Sequence, residues 1–296
     1  NKGVRAGTIR NELHLLGAML RWARGHRVSG RRLLVVDPLE GITIPHEKNM
    51  RRPVSTEARF QATLAKADVV DPTGRFRLLL VLARHTGRRL NAMCQLRASD
   101  VLRTRDAVAQ ALGEAGMDLA HAEHWPHGAL RFREHSDKLG FEGVAPLSRE
   151  ARAALDAYLG AHPRVGDAPL FPSTADPAVP IYKTVAGYWL ARAESLAKLP
   201  KLERGAWHAF RRLWASERRA LPAQDVAAAG GWRSLATMRT AYQQADAATI
   251  YSVVENAPPA PPEKGGPKGA AEARRPRKER VSGGRGHKSD TPRSQA

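Results

Sequence analysis

Residues 207–216 read Trp-His-Ala-Phe-Arg-Arg-Leu-Trp-Ala-Ser, and this segment decides how the whole chain is interpreted. They fall within a helix that the sequence predicts at about residues 206–220. His208 and Arg211 are three positions apart, so they share one face of that helix. An imidazole and a guanidinium on one face can both reach a single phosphate group.

A second informative segment begins about twenty residues downstream, where residues 229–234 read Ala-Gly-Gly-Trp-Arg-Ser. Ser234 is a good N-cap for a helix predicted at about 234–243. This helix presents Tyr242, ten residues after Trp232. Because a phenol has a pKa of about 10, Tyr242 needs a base and strongly cationic surroundings to act as a nucleophile at neutral pH.

Upstream, the apolar run from Phe76 to Ala83 predicts a buried helix that ends at Gly87, since glycine commonly terminates helices. Two adjacent arginines, Arg88 and Arg89, follow the glycine. The fork of N–H donors on an arginine can bind two phosphate oxygens at once. The segment is therefore a candidate anion-binding element.

The convincing strands lie at residues 129–133 and 143–147, separated by a turn at Leu139-Gly140. They predict an antiparallel hairpin with Lys138 beside its turn. A lysine in a turn is usually no more than a solvated charge, so Lys138 gains interest only from its neighbours.

Composition limits the class of protein. The 296 residues carry a formal net charge of +19, of which residues 263–293 hold ten basic and four acidic side chains. The remaining positive charge favours a polyanionic partner, and nucleic acid is the commonest large one. The single cysteine, Cys94, excludes an internal disulfide and every multi-cysteine zinc site, which favours a reducing cytoplasm. We expect no membrane segment, because no apolar stretch approaches the roughly 20 residues that a bilayer requires.

The chain divides into four predicted parts. Residues 1–48 are interpreted as helical and as the C-terminal part of a helical domain, and residues 49–54 as a linker. Residues 55–256 form the main domain, beginning with a helix capped by Ser55. Residues 257–296 are rich in Pro, Gly, Ser and Arg and have too little apolar surface to fold, so we expect disorder there.

Taken in order, these segments resemble those of the tyrosine recombinases, the phage-type integrase family. Residues 86–96 resemble the family's first arginine box, with Arg89 at the matching position, and residues 138–148 resemble its lysine-bearing β-hairpin. Residues 207–216 resemble the His-x-x-Arg box. The resemblance covers about residues 55–256 and implies these catalytic residues: Arg89, Lys138, His208, Arg211, Trp232 and Tyr242.

The chain departs from the family pattern at three points. Ala92 stands where the family usually has an acidic residue, and Trp232 stands where it most often has histidine. The spacing from Trp232 to Tyr242 is ten residues, whereas nine is commoner. Tyr251 is the alternative nucleophile.

The resemblance implies a mainly α catalytic domain with a small antiparallel hairpin or sheet, preceded by a partial helical core-binding domain. It also implies site-specific cleavage and rejoining of double-stranded DNA through a 3′-phosphotyrosine, by a homotetramer on DNA. Residues 243–256 would dock onto a neighbouring subunit. Two alternatives stay open: relaxation of DNA like that of type IB topoisomerases, and a catalytically inactive DNA-binding relic.

No cofactor or metal is expected. His121, His124 and His127 recur every three residues and offer a possible metal site, but Pro126 interrupts the helix between the last two. The sequence contains no phosphate-cradling glycine loop, which argues against the use of ATP.

Overall fold

The computed structural model describes residues 4, 6–45, 52–136, 140, 142–202, 205–245 and 247–255. The chain divides into two compact units, residues 1–246 and 247–296. The fold is mainly helical with small antiparallel sheets, as the sequence predicts. The predicted disordered tail, residues 257–296, lies outside the described residues, as do residues 49–51 of the predicted linker.

The elements of the described residues follow one another in a simple order. The helices are α1 (Ala6–Gly25), α2 (Glu57–Leu64), α3 (Ala67–Val70), α4 (Arg75–Thr86), α5 (Leu90–Cys94), α6 (Arg105–Glu114), α7 (His121–His124), α8 (Arg149–Ala161), α9 (Lys183–Leu196), α10 (Ala206–Glu217), α11 (Ala223–Gly230), α12 (Leu235–Ala241) and α13 (Ala247–Glu255). The strands are β1 (Arg27–Val28), β2 (Arg31–Arg32), β3 (Val101–Leu102), β4 (Ala129–Phe132) and β5 (Gly143–Pro146).

Helix α4 is the centre of the main core. Its apolar side chains are almost fully buried, and it packs against α8 and α10. The helix ends at Gly87, whose φ of 62° places it in the left-handed region that favours glycine. This confirms the predicted buried helix with a glycine stop, and it fixes where the following arginines emerge.

The predicted hairpin is confirmed, with β4 and β5 antiparallel and Leu130 opposite Ala145. The structure adds β3, which pairs with the other edge of β4 through Val101 and Leu130. Two residues are too few to show the alternation from which a strand is predicted, so β3 had no sequence signal.

Several predicted boundaries were wrong. Among the described residues of the range 1–48, helical structure is confined to α1, which a short β1–β2 hairpin follows. The N-cap of α2 is Thr56, whose Oγ1 accepts a hydrogen bond from the Arg59 N–H at 3.1 Å, and not Ser55, which lies one residue earlier. The alanine-rich residues 105–124 form two helices, α6 and α7, with Gly116 at a φ of 65° between them.

Two buried ion pairs hold helices around α4. Arg59 Nε lies 2.8 Å from Glu194 Oε1 and joins α2 to α9. Arg75 pairs with Asp71 at 2.9 Å at the start of α4. In both cases a carboxylate compensates the buried guanidinium, as low-dielectric surroundings require.

The thiol of Cys94 is buried in the main core, and burial raises its pKa to about 12. No helix in the described part of the chain combines the length and the apolar character that crossing a bilayer would require. Within the same residues, no three or more His, Cys, Asp or Glu side chains converge as a metal site, and this includes the three histidines near α7.

Candidate active site

Arg211 occupies the centre of the candidate site and is almost completely buried. Its Nη1 donates to the carbonyls of Gly87 and Gly230, the latter at 2.7 Å. These two bonds join α10 to the end of α4 and to the end of α11. The guanidinium is therefore held between the end of α4, which is distant in the sequence, and the end of the neighbouring helix α11.

Burial lowers the pKa of Arg211 to about 9, and the positive charge of Arg89 acts in the same direction. Arg211 remains protonated at neutral pH. The bonds that hold it end on carbonyl dipoles, which carry no net charge, whereas the buried Arg59 and Arg75 are paired with carboxylates. Among the described residues, Tyr242 is the side chain whose interaction with Arg211 favours the charged form of the guanidinium.

Trp232 forms a wall of the site through a stack of aromatic and cationic groups. The Arg211 guanidinium lies 3.5 Å from its ring centroid, and Trp214 stacks on it at 5.9 Å with an interplanar angle of 25°. Arg218 lies 4.4 Å from the ring centroid of Trp214. Cation–π contacts of this kind stabilise a buried guanidinium.

Two glycines make room for this stack. A Cβ on Gly87 would lie 2.5 Å from the Trp214 ring, and one on Gly230 would lie 1.9 Å from the Trp232 ring. Any larger residue would displace an indole at either position. Position 87 therefore requires glycine for two reasons: its positive φ, and the close approach of the Trp214 ring of α10.

Tyr242 is the C-cap of α12 and lies beside the stack. Its ring centroid is 5.1 Å from that of Trp232, and 5.2 Å from the Arg211 Cζ. The N-cap at the other end of α12 is Ser234, as predicted, and its Oγ accepts a hydrogen bond from the Thr237 N–H at 3.1 Å. The alternative, Tyr251, lies on α13 in the other compact unit with its side chain exposed.

The imidazole of His208 faces the same tyrosine, with ring centroids 6.5 Å apart. Although this side chain is exposed, neighbouring atoms partly desolvate it, and this lowers its pKa below the usual value. The positive charges of Arg212, Arg211 and Arg89 lower the pKa further. His208 is accordingly neutral at pH 7 and able to accept a proton.

Arg89 is the N-cap residue of α5, directly after the turn that ends α4. Its charge acts on both His208 and Arg211, which places it in their electrostatic neighbourhood. Ala92, three residues on, is buried in the main core. The structure thus brings three of the other candidates, His208, Arg211 and Trp232, around Tyr242, and the charge of Arg89 acts on the first two of them.

Lys138 lies outside the described residues. The residues that flank it approach the site from the hairpin: the Gly140 carbonyl accepts from Arg233 Nη2 at 3.3 Å, and the Ser136 carbonyl accepts from Asn91 Nδ2 at 3.4 Å. Arg233 directly follows Trp232 and Asn91 lies on α5. The hairpin therefore contacts both segments that border the site.

Sequence reasoning missed several residues that build the site. Arg88 donates to the carbonyls of Ala229 and Ala228 at 3.0 and 3.2 Å and lies 4.6 Å from the Phe132 ring centroid. It ties the first arginine segment to α11 and to β4. The i, i+3 spacing of Trp214 from Arg211 was a usable signal for that tryptophan. Nothing in the sequence indicated the contacts of Arg88.

A family profile described as the phage integrase family matches residues 60–249. The chain belongs to the phage integrase family. No curated protein sequence resembles this integrase-family chain closely enough to count as a match.

Solved structures share the integrase fold at low sequence identity. A structure of the XerH site-specific recombinase bound to palindromic difH substrate superposes with a TM-score of 0.62 at 17% identity, covering 86% of this chain and 66% of that one. A lambda integrase dimer bound to a COC′ core site gives a TM-score of 0.56 at 16% identity, with coverages of 82% and 63%. The Tn1549 transposon integrase bound to circular intermediate DNA gives 0.55 at 11% identity, with coverages of 86% and 80%. The chain thus spans about two thirds of the length of the XerH and lambda integrase structures.

Proposed function

We propose that this chain cleaves and rejoins DNA at specific sites, using Tyr242 as the nucleophile. The observation that carries the proposal is that two groups lie close to the Tyr242 ring. The buried Arg211 guanidinium is 5.2 Å and the centre of the His208 imidazole is 6.5 Å from the tyrosine ring centroid. A phenol needs a cationic site to attack a phosphodiester at neutral pH, and these neighbours meet that need.

The proposed reaction exchanges one phosphate ester for another. The Tyr242 oxygen attacks the scissile phosphorus while the bond from phosphorus to the 5′ oxygen breaks. The products are a 3′-phosphotyrosine and a free 5′ hydroxyl. The new phosphotyrosine ester keeps the free energy of the broken phosphodiester bond. Rejoining by the 5′ hydroxyl therefore needs neither a nucleotide nor a metal ion.

Each neighbouring group has a proposed role. Arg89 and Arg211 bind the non-bridging oxygens as negative charge develops on them, which is usually the largest contribution to such catalysis. His208 accepts the phenolic proton, for which its lowered pKa suits it. Lys138 protonates the leaving 5′ oxygen, and Trp232 holds the Arg211 guanidinium toward the phosphate.

We propose double-stranded DNA as the partner, with a homotetramer as the assembly in which strands are exchanged. One structural relative is a lambda integrase tetramer bound to a Holliday junction. Residues 1–48 would be part of a second, DNA-clamping domain. Helix α13 carries the exposed apolar side chains Ile250, Tyr251 and Val254, which suit it to docking on a neighbouring subunit. The cytoplasm remains the predicted compartment.

The test is covalent trapping on a nicked duplex, in which the cleaved strand loses a short fragment and cannot be rejoined. The unaltered chain should form a protein–DNA adduct that survives denaturing electrophoresis, and Tyr242→Phe should form none. Tyr251→Phe is the matched control and should form the adduct. An adduct formed by Tyr242→Phe but not by Tyr251→Phe would reverse the assignment, and no adduct from the unaltered chain would refute the activity.

A further inference from the structure

The turn that follows Tyr242 is bonded to α10 through the hydroxyl group of Ser216. Ser216, a buried residue near the end of α10, donates from Oγ to the Tyr242 carbonyl at 3.2 Å. The same Oγ accepts from the Gln244 N–H at 3.1 Å. One side chain therefore fixes both ends of the turn over residues 242–244 against α10.

Gln244 connects this turn to a segment almost two hundred residues away. Its Nε2 donates to the Arg52 carbonyl at 2.7 Å. The next carbonyl, that of Pro53, accepts from Arg212 Nη1 at 2.8 Å, and the Ser55 N–H donates to the Ala209 carbonyl at 3.1 Å. Residues 52–55 are thereby bonded both to α10 and to the turn after the tyrosine.

We propose that Ser216 and Gln244 are positioning residues that hold the Tyr242 phenol in the site by tying its turn to the backbone of residues 52–55. The inference rests on the proposed role of Tyr242 as nucleophile. Neither residue would touch the substrate; both would act through the backbone on either side of the tyrosine.

Two features of the turn make this restraint necessary. Tyr242 is the C-cap that follows the last residue of α12, and its N–H and that of Gln243 both bond to the Met238 carbonyl, at 3.0 and 2.9 Å. Beyond that shared acceptor, the hydrogen bonds that hold the turn among the described residues are those to Ser216 and to the Arg52 carbonyl. A displacement of about 1 Å at a reacting group can reduce a rate about a hundredfold, so a loose turn would slow the attack.

The connection also has a consequence for coupling between domains. Residues 49–54 are the predicted linker to the DNA-clamping part of the chain. When residues 52–55 are docked on α10, Gln244 finds its acceptor and the turn is restrained. A linker pulled away from α10 would release the turn and leave Tyr242 less well placed.

The experiment measures the first-order rate constant of adduct formation at saturating nicked duplex, together with the dissociation constant for the same DNA and the thermal midpoint. Gln244→Ala, at an exposed position, should lower the rate constant about 3- to 10-fold, the range expected for losing one hydrogen bond with some misplacement. Its dissociation constant should stay within about twofold of the unaltered chain. Gln110→Ala is the matched control, because Gln110 is an exposed glutamine that bonds only to Glu114 on α6 among the described residues.

Ser216 offers a second and independent arm. Ser216→Ala should slow adduct formation similarly, and Ser216→Thr should restore it because the hydroxyl is kept. The double variant Ser216→Ala with Gln244→Ala should be little slower than the slower single variant, since both belong to one network.

The inference fails if Gln244→Ala forms the adduct as fast as Gln110→Ala. It also fails if the two single effects multiply in the double variant, because the residues would then act separately. Failure of the proposed function is a different result, namely an adduct that persists in Tyr242→Phe.

Discussion

The guanidinium of Arg211 lies 3.5 Å from the ring centroid of Trp232, so a buried cation rests on an indole at the centre of the site. The tryptophan occupies the place where the family resemblance leads one to expect histidine. An indole cannot exchange a proton at neutral pH, so its contribution is to hold a charge in position. Catalysis at this site would then depend on packing as much as on acid–base chemistry.

Removing the indole should affect both stability and cleavage. Trp232→Ala should lower the free energy of unfolding by about 3–5 kcal/mol, as large-to-small changes of buried aromatics do, and should slow adduct formation because Arg211 loses its support. Trp232→Phe, which keeps an aromatic face, should lose less of both. Denaturant unfolding and the trapping assay measure these effects. Trp22→Ala, at an exposed tryptophan, should change stability by no more than about 0.5 kcal/mol, and equal losses at the two positions would contradict the packing argument.

A methyl group at Gly230 should disturb the same contact. A Cβ there would lie 1.9 Å from Trp232 and 2.9 Å from Trp214, so Gly230→Ala should destabilise the fold by about 1–3 kcal/mol and slow adduct formation. Gly160 is the control, because it lies near the end of α8 and a Cβ at that position would meet no atom within 4 Å. Gly160→Ala should raise the free energy of unfolding by about 0.4–1 kcal/mol. Thermal or denaturant unfolding measures both variants. If Gly230→Ala were the more stable of the two, the indole rings would have to move aside at little cost, against the packing described.

The ionisation of His208 gives a prediction in pH. Its pKa is lowered by partial desolvation and by the nearby arginines, so the ring should titrate below the usual value of about 6.5 when followed by NMR. The unfolded chain binds a proton near pH 6.5 that the folded protein binds only at lower pH. The contribution of His208 to the free energy of unfolding is therefore fully present above about pH 6.5, and it is lost as the pH falls through the lowered pKa of the folded protein.

Arg89→Gln tests the electrostatic part of this argument. Removing that positive charge should raise the His208 midpoint toward 6.5, and the change should be smaller in high salt. A midpoint that did not move would place the Arg89 charge away from the imidazole, against the proposed site.

Removing one partner of the buried ion pair between Arg59 and Glu194 should destabilise the protein, because the other partner would be left as an uncompensated buried charge. Glu194→Ala leaves a buried guanidinium without its carboxylate, and we expect the free energy of unfolding to fall by about 3–5 kcal/mol. Asp68→Ala breaks an exposed pair with Arg77 and should cost less than about 1 kcal/mol. Denaturant unfolding of the two variants under the same conditions makes the comparison, and similar losses would show that water reaches Arg59.

Removal of residues 245–256 should weaken the assembly of subunits on two DNA sites while leaving the binding of one DNA site nearly unchanged. A chain that ends at Gln244 should bind a single DNA site about as well as a chain that ends at Asn256. It should form complexes that join two sites much less readily, because α13 supplies the proposed subunit contact. Gel shifts with one-site and two-site DNA report both properties, and equal weakening of both would remove α13 from the assembly.

Residues 257–296 make a different contribution. Their ten basic side chains should add DNA affinity that does not depend on sequence and that weakens steeply with salt. Ending the chain at Asn256 should therefore reduce the salt dependence of binding.

The elements predicted from the sequence were those with local signals. The helical face shared by His208 and Arg211, the glycine stop at Gly87 and the β4–β5 hairpin depend on spacing and on residue type, which the sequence displays. The stack of Trp214 on Trp232 could not be predicted, because it depends on how α10 meets the loop after α11. The same holds for Arg88, whose carbonyl partners are about 140 residues away.

The N-cap of α2 was predicted one residue too early. Ser55 and Thr56 are both good caps by residue type, and residue type alone does not show which of the two takes the cap position. The roles proposed for Trp232 and Tyr242 are predictions that the trapping experiments test. Those proposed for the other candidates also remain predictions: Arg89, Lys138, His208 and Arg211.

Cys94 is the one cysteine of the chain, and its thiol is enclosed in the core with a pKa of about 12. At neutral pH it is therefore a poor target for maleimides and other alkylating reagents. A cysteine introduced at an exposed position would carry essentially all the thiol reactivity. Fluorophores could then be attached at chosen points to follow the enzyme on DNA without first replacing Cys94.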